Sequence, residues 1–126
     1  MGLSNKMIFL VVDDSKISRK WLIEMIPKKI VESAEIIEGC NGEEAIELYK
    51  QHQPDIVFLD ITMPGIDGFE ALKHIKEINA DALVVMVSAD RQKSTKERIL
   101  NLGASAIISK PIDEEEFRTT LLKLVF

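Results

Sequence analysis

Short apolar runs alternate along this chain with longer segments of helical period. MIFLVV at 7–12, AEIIEG at 34–39, DIVFLD at 55–60, ALVVMVS at 82–88 and AIIS at 106–109 read as strands. Three of these are nearly all apolar and lack the in-and-out alternation of a sheet wetted on one side. They predict strands buried on both faces, as in a parallel sheet covered by helices. Between the runs, apolar residues recur three and four apart, which marks one face of a helix. The stripes are Ile17, Trp21 and Met25; Ala45, Leu48 and Tyr49; Phe69, Leu72 and Ile75; Ile99 and Leu102; and Phe117, Leu121 and Leu124. The first stripe places Trp21 in the core. Asn41 and Gly42 open the second helix, Ser94 begins the fourth, and Gly103 follows it where a C-terminal glycine belongs. The pattern is a strand and a helix repeated five times, an α/β chain of (βα)5 type.

At 126 residues the chain matches one domain over 1–126, with no linker dividing it and enough length for a single core. Hydrophobic residues at 46% and charged residues at 29% are ordinary globular values. A net charge of -5 disfavours direct binding to nucleic acid or to an anionic membrane, both of which reward clustered Lys and Arg. The single Cys40 excludes an internal disulfide and agrees with a reducing compartment. The N-terminal run passes straight into Asp13 without a small-residue cleavage site, and no stretch approaches the ~20 apolar residues of a membrane span. A cytoplasmic location is expected.

Chemistry gathers where strands end. Asp60 closes an apolar strand, and Asp13 and Asp14 close another. Burying an ionised carboxylate is costly unless it is paired or metal-bound, so acids there point to a site. If Asp13 and Asp14 share a small cation with Asp60, their strands must be neighbours, because direct ligands of Mg²⁺ lie about 2.0–2.1 Å from it. The second strand then lies outside the first, which predicts a doubly wound, five-stranded parallel sheet of order 2-1-3-4-5. Ligands of such sheets bind beyond the carboxyl ends of the strands, where the order reverses. Ser88 and Lys110 end the fourth and fifth strands and add a hydroxyl and an ammonium to that edge. A hard cation, a lysine and a hydroxyl around a carboxylate describe phosphoryl transfer with an aspartyl-phosphate intermediate. Asp60 stands alone and suits the nucleophile, whereas the adjacent Asp13 and Asp14 suit cation capture.

VVDDS, FLDITMPGIDG, VSAD and SKP resemble, in order, the motifs of response-regulator receiver domains of two-component signalling. The resemblance spans essentially the whole chain and implies the flavodoxin-like fold of the chemotaxis-type receivers. It implies Asp60 as phosphoacceptor, with Mg²⁺, or Mn²⁺, bound by Asp14, Asp60 and the backbone carbonyl of Thr62, and by Asp13 through water. It assigns Ser88 as switch hydroxyl and Lys110 as phosphate-binding lysine, with a cis Lys110–Pro111 bond. Thr62 and Asp90 would tune dephosphorylation. Pro64, Gly65 and Gly68 shape the loop after Asp60, the glycines supplying positive φ and close backbone approach. The donor implied is a sensor histidine kinase or phosphotransfer protein. The output would be a protein partner, or a second copy, held by the 94–126 face.

Ile107 stands where receivers often carry Tyr or Phe, so the signal is expected to travel through the loop after Ser88 and the helix near Ser94. The last helix is more apolar than one stripe requires, Leu122 and Val125 widening it either for packing or for a partner. A small aspartate-nucleophile phosphatase would carry a second acid two residues after the first, a place held by Thr62. A phosphorylation-independent pseudo-receiver would have lost an acid or the lysine. Asp67 reads as turn chemistry, and Cys40, His52 and His74 as structural or solvated.

Overall fold

The computed structural model describes residues 6–125. Its elements are β1 (Met7–Val12), α1 (Lys16–Met25), α2 (Lys28–Glu32), β2 (Ala34–Gly39), α3 (Gly42–His52), β3 (Ile56–Asp60), α4 (Gly68–Ile78), β4 (Val84–Ser88), α5 (Lys93–Asn101), β5 (Ala106–Ser109) and α6 (Glu114–Val125). All strand pairs are parallel and the order is β2-β1-β3-β4-β5, as the placement of the carboxylates requires.

The central strands are buried on both faces, and their alternation sorts side chains into two cores. Leu10, Val12, Val57, Leu59, Val84 and Met86 pack with Ala45, Tyr49, Leu72, Ile75 and Ile99 of α3, α4 and α5. Phe9, Val11, Ile56, Phe58, Val85, Val87 and Ile108 pack with Leu22, Ile26, Phe117 and Leu121, from α1, its end and α6. Phe58 lies between the rings of Phe9 and Phe117, at centroid distances of 6.4 and 5.2 Å.

Several local features differ from the sequence reading. Ile17 and Trp21 are 59% and 62% exposed, and Leu22 and Ile26 face the sheet instead. One helix carries two adjacent apolar stripes, and periodicity alone does not say which meets the strands. Pro27 then forces Ile26 into an extended conformation, ending α1, and its carbonyl accepts the amides of Ile30 and Val31 to start the unforeseen α2. Helix α5 begins at Lys93 with Gln92 at its N-cap, so Ser94 lies inside its first turn. In α6, Phe117 and Leu121 are buried and Leu124 and Val125 pack partly against them, while Leu122 is 45% exposed. Asn41 caps α3 as expected, its side chain accepting the Glu44 amide at 2.8 Å.

Candidate functional site

The alternation that sorts the cores also assembles the site. Asp13 follows Val11, Asp60 follows Phe58 and Lys110 follows Ile108, each two residues on, so the three continue rows that face α1 and α6. Because β1 and β3 are neighbours, their carboxylates meet above the sheet. Lys110 comes from β5, two strands from β3, and its long stem reaches over the end of β4.

Lys110 Nζ lies 3.2 Å from Asp13 Oδ2 and 3.2 Å from Asp60 Oδ1. Asp13 and Asp60 are only 7% and 6% exposed, while Asp14 is open to solvent. One carboxylate oxygen from each of Asp13, Asp14 and Asp60 falls within 4.8 Å of the others. Burial, reinforced by the Asp13 and Asp14 charges, pushes the Asp60 carboxyl above the usual carboxylate range, and Lys110 offsets only part of this. Burial by itself would lower the Lys110 pKa, but the Asp60 and Asp13 carboxylates outweigh it and hold the ammonium above its ordinary value. Three acids against one ammonium leave the crevice with two uncompensated negative charges. That donor set of clustered carboxylate oxygens fits a hard divalent cation.

Asp13 is held from every side. Its Oδ1 accepts the Ser15 amide at 2.9 Å, and its backbone carbonyl accepts Arg19 Nη1 at 2.7 Å. Arg19 Nε in turn donates to Glu38 at 2.8 Å, tying α1 to β2. Sequence reasoning passed over Arg19; its place one turn into α1, close after the acid pair, was the available signal. It also passed over Glu43 at the start of α3, whose Oε1 accepts the Ile66 amide at 2.8 Å and so anchors the loop after Asp60.

That loop needs its glycines for two different reasons. Gly65 has φ 74°, a left-handed conformation that favours glycine. Gly68 lies so close to the backbone of β3 that an added Cβ would stand 2.6 Å from Ile61 Cα. Its amide donates to the Ile61 carbonyl at 2.8 Å. Pro64 is exposed just before Gly65, Thr62 is exposed at the loop's start, and Asp67 caps α4 through the Glu70 amide at 3.0 Å.

Ser88 lies in the row of Val84 and Met86, which faces the other core. Its hydroxyl donates to the Asp90 carbonyl at 3.1 Å and accepts the Asp90 amide at 2.9 Å. The Asp90 carboxylate accepts the Gln92 amide at 2.9 Å and the Thr95 hydroxyl at 2.7 Å, bonds that hold its pKa below the usual range. Asp90 thus binds the start of α5. Ile107, half-buried, packs into the core beneath α3, α4 and α5, and the Lys110–Pro111 bond is cis.

A family model described as the response regulator receiver domain matches residues 9–122. The chain is 41% identical over 106 residues to the chemotaxis protein CheY of Bacillus subtilis, covering 84% of this chain and 87% of that one. It is 37% identical to CheY of Thermotoga maritima, covering 91% and 94%. Among solved structures it resembles the CheX–CheY–BeF3–Mg complex of Borrelia burgdorferi, with TM-score 0.85 and 35% identity over 95% of this chain and 90% of that one. Strand order, strand-end acids and relatives over nearly the whole chain agree, and the chain belongs to the response-regulator receiver domains of two-component signalling.

Proposed function

We propose that this receiver is a phosphorylation switch in which Asp60 takes a phosphoryl group from a phosphohistidine and the resulting acyl phosphate controls protein contacts. The observation that carries the reading is the Lys110 ammonium shared at 3.2 Å between Asp13 and Asp60, beside a third acid. Asp60 offers an oxygen to phosphorus while the phosphorus–nitrogen bond to the donor imidazole breaks. Lys110 holds a phosphoryl oxygen, and Ser88 turns from Asp90 to donate to another. Mg²⁺, or Mn²⁺, held by Asp14, Asp60 and the Thr62 carbonyl, supplies neutralisation of phosphoryl charge. Asp13 has both carboxylate oxygens engaged, with Ser15 and Lys110, which supports a role for it through water.

The donor is a sensor histidine kinase or phosphotransfer protein. The output partner, or a second copy, binds the 94–126 face, where Leu100 and Leu122 are 55% and 45% exposed. The Borrelia burgdorferi relative was solved with CheX, which supports output through a protein partner. No helix among the described residues is long and apolar enough to cross a membrane; we place the switch in the cytoplasm.

Incubation with acetyl phosphate and Mg²⁺ tests the reading. A hydroxylamine-sensitive phosphoryl mark on Asp60, absent from Asp60→Asn, is expected. Marking at another residue overturns the assignment. Absence of any mark favours a phosphorylation-independent binding module, and sustained phosphate release from varied esters favours a phosphatase.

A further inference from the structure

A cavity of about 260 Å³ opens beside the carboxylates, between α1 and the segment after β5. Asp13, Asp60 and Lys110 contribute to its lining, together with Trp21, Met25, Phe58 and Ile112. It exists because α1 turns Leu22 and Ile26 toward the sheet and leaves Trp21, 62% exposed, at the rim. A phosphoryl group held at Asp60 and Lys110 therefore borders an apolar chamber continuous with the reactive carboxylate.

The size and lining of the chamber select an occupant. An apolar cavity of about 150 Å³ already admits benzene, so about 260 Å³ leaves room for a substituted ring. An acetyl group is too small to displace the water from such walls, whereas an aryl group buries a face against Trp21 and Met25. We infer that aromatic acyl phosphates, with benzoyl phosphate as the simplest, are the preferred small-molecule phosphoryl donors of this chain.

The inference rests on Asp60 being the phosphoacceptor and names the donor class for that site. In the step, an Asp60 carboxylate oxygen forms a bond to phosphorus as the phosphorus–oxygen bond to the acyl group breaks. Benzoate leaves with the electron pair, and no proton, oxidant or further reactant is needed.

The test compares second-order phosphorylation rate constants for benzoyl and acetyl phosphate with Mg²⁺, each normalised to the donor's own hydrolysis rate. A preference of at least ~10-fold for the benzoyl donor is expected, the discrimination that one apolar group gains in a fitted pocket. In Ile112→Phe and Met25→Phe, which fill the chamber, the ratio falls toward one; thermal melting checks that each variant is folded. The sole tryptophan of the chain gives a readout that needs no chemistry. Trp21 emission should change saturably with phenylphosphonate and Mg²⁺ but not with methylphosphonate. Equal rate constants, a preference that survives in both filled variants, or equal responses to the two phosphonates overturn the inference and leave the acceptor reading standing. Failure of both acyl phosphates to mark Asp60 overturns both.

Discussion

Lys110 crosses the end of β4 to come within 3.2 Å of Asp60, joining the last strand of the sheet to the middle one. The contact is one arm of a fork, since the same ammonium stands 3.2 Å from Asp13. One cation therefore faces more negative charge than it can neutralise.

Asp60→Asn should stabilise the fold in cation-free buffer. The Asp60 pKa is raised by burial and then by neighbouring acids, so the folded chain binds this proton more tightly than the unfolded chain. Stability therefore falls as pH rises from the ordinary carboxylate pKa through the raised one, and the cost persists above it. At neutral pH the neutral isostere should gain on the order of 1 kcal/mol, the scale of a close charge contact in a wetted site. Urea unfolding of both forms from pH 3 to 8 checks this, with the gap expected to close at the acid end.

Lys110→Gln should act in the opposite direction on stability and, like Asp60→Asn, should weaken the chemistry. Its ammonium is held above the usual lysine pKa despite burial, because of Asp60 and Asp13. Its contribution is complete below the unfolded lysine pKa and is lost as pH climbs through the raised folded value, so wild type alone should weaken there. Acetyl phosphate labelling of the variant should drop about 100-fold or more, as when one transition-state donor is removed. Alkaline unfolding curves and labelling rates provide the check.

Mg²⁺ should raise the melting temperature of the wild-type chain. A cation that binds only the folded chain adds about 2.7 kcal/mol at 100 times its dissociation constant. Asp14→Asn and Asp60→Asn should each flatten the response, since both residues belong to the carboxylate group. Calorimetric scans across a Mg²⁺ series decide it, and identical responses in all three proteins would remove the carboxylates from the site.

Asp90→Ala should loosen the start of α5. Gln92 makes no side-chain cap bond there, whereas Asp90 holds the Gln92 amide and the Thr95 hydroxyl. Hydrogen exchange should accelerate at Lys93 to Lys96, and Thr95→Val should show a smaller change in the same amides.

Leu121 and Leu122 should separate packing from surface. Leu121 is fully buried and Leu122 is 45% exposed. Leu121→Ala should cost about 2–5 kcal/mol, as a cavity in a core does. Leu122→Ala should stay within about 0.5 kcal/mol of wild type. Denaturant midpoints of the two variants test the pair.

The strands were readable to within two residues because a covered parallel sheet demands near-continuous apolar runs, and the strand order followed from bringing Asp13 and Asp14 to Asp60. The missing detail lay where two local rules competed. Helix α1 carries Ile17 and Trp21 on one stripe and Leu22 and Ile26 on the next, and only the sheet decides between them. Ser94 looked like a cap, but Asp90 supplies the polar contacts before it, through bonds no spacing rule displays. At the site, the acids and Lys110 were visible as strand-end residues. Their sidedness is written in the chain as well, since counting back two residues from each reaches Val11, Phe58 and Ile108, all in one core. The same count sets Ser88 on the opposite face, in the row of Val84 and Met86.

Lys110 follows the strand at the rim of the sheet, for β5 pairs with β4 and ends the order. A binding partner that grips this margin therefore takes hold of the residue that steadies Asp60. Linkage makes the bargain symmetrical: whatever factor the modified aspartate applies to the partner's affinity, the partner returns to the free energy of modifying the aspartate. A protein that bound this edge with a preference for the modified form would thereby also favour the modification.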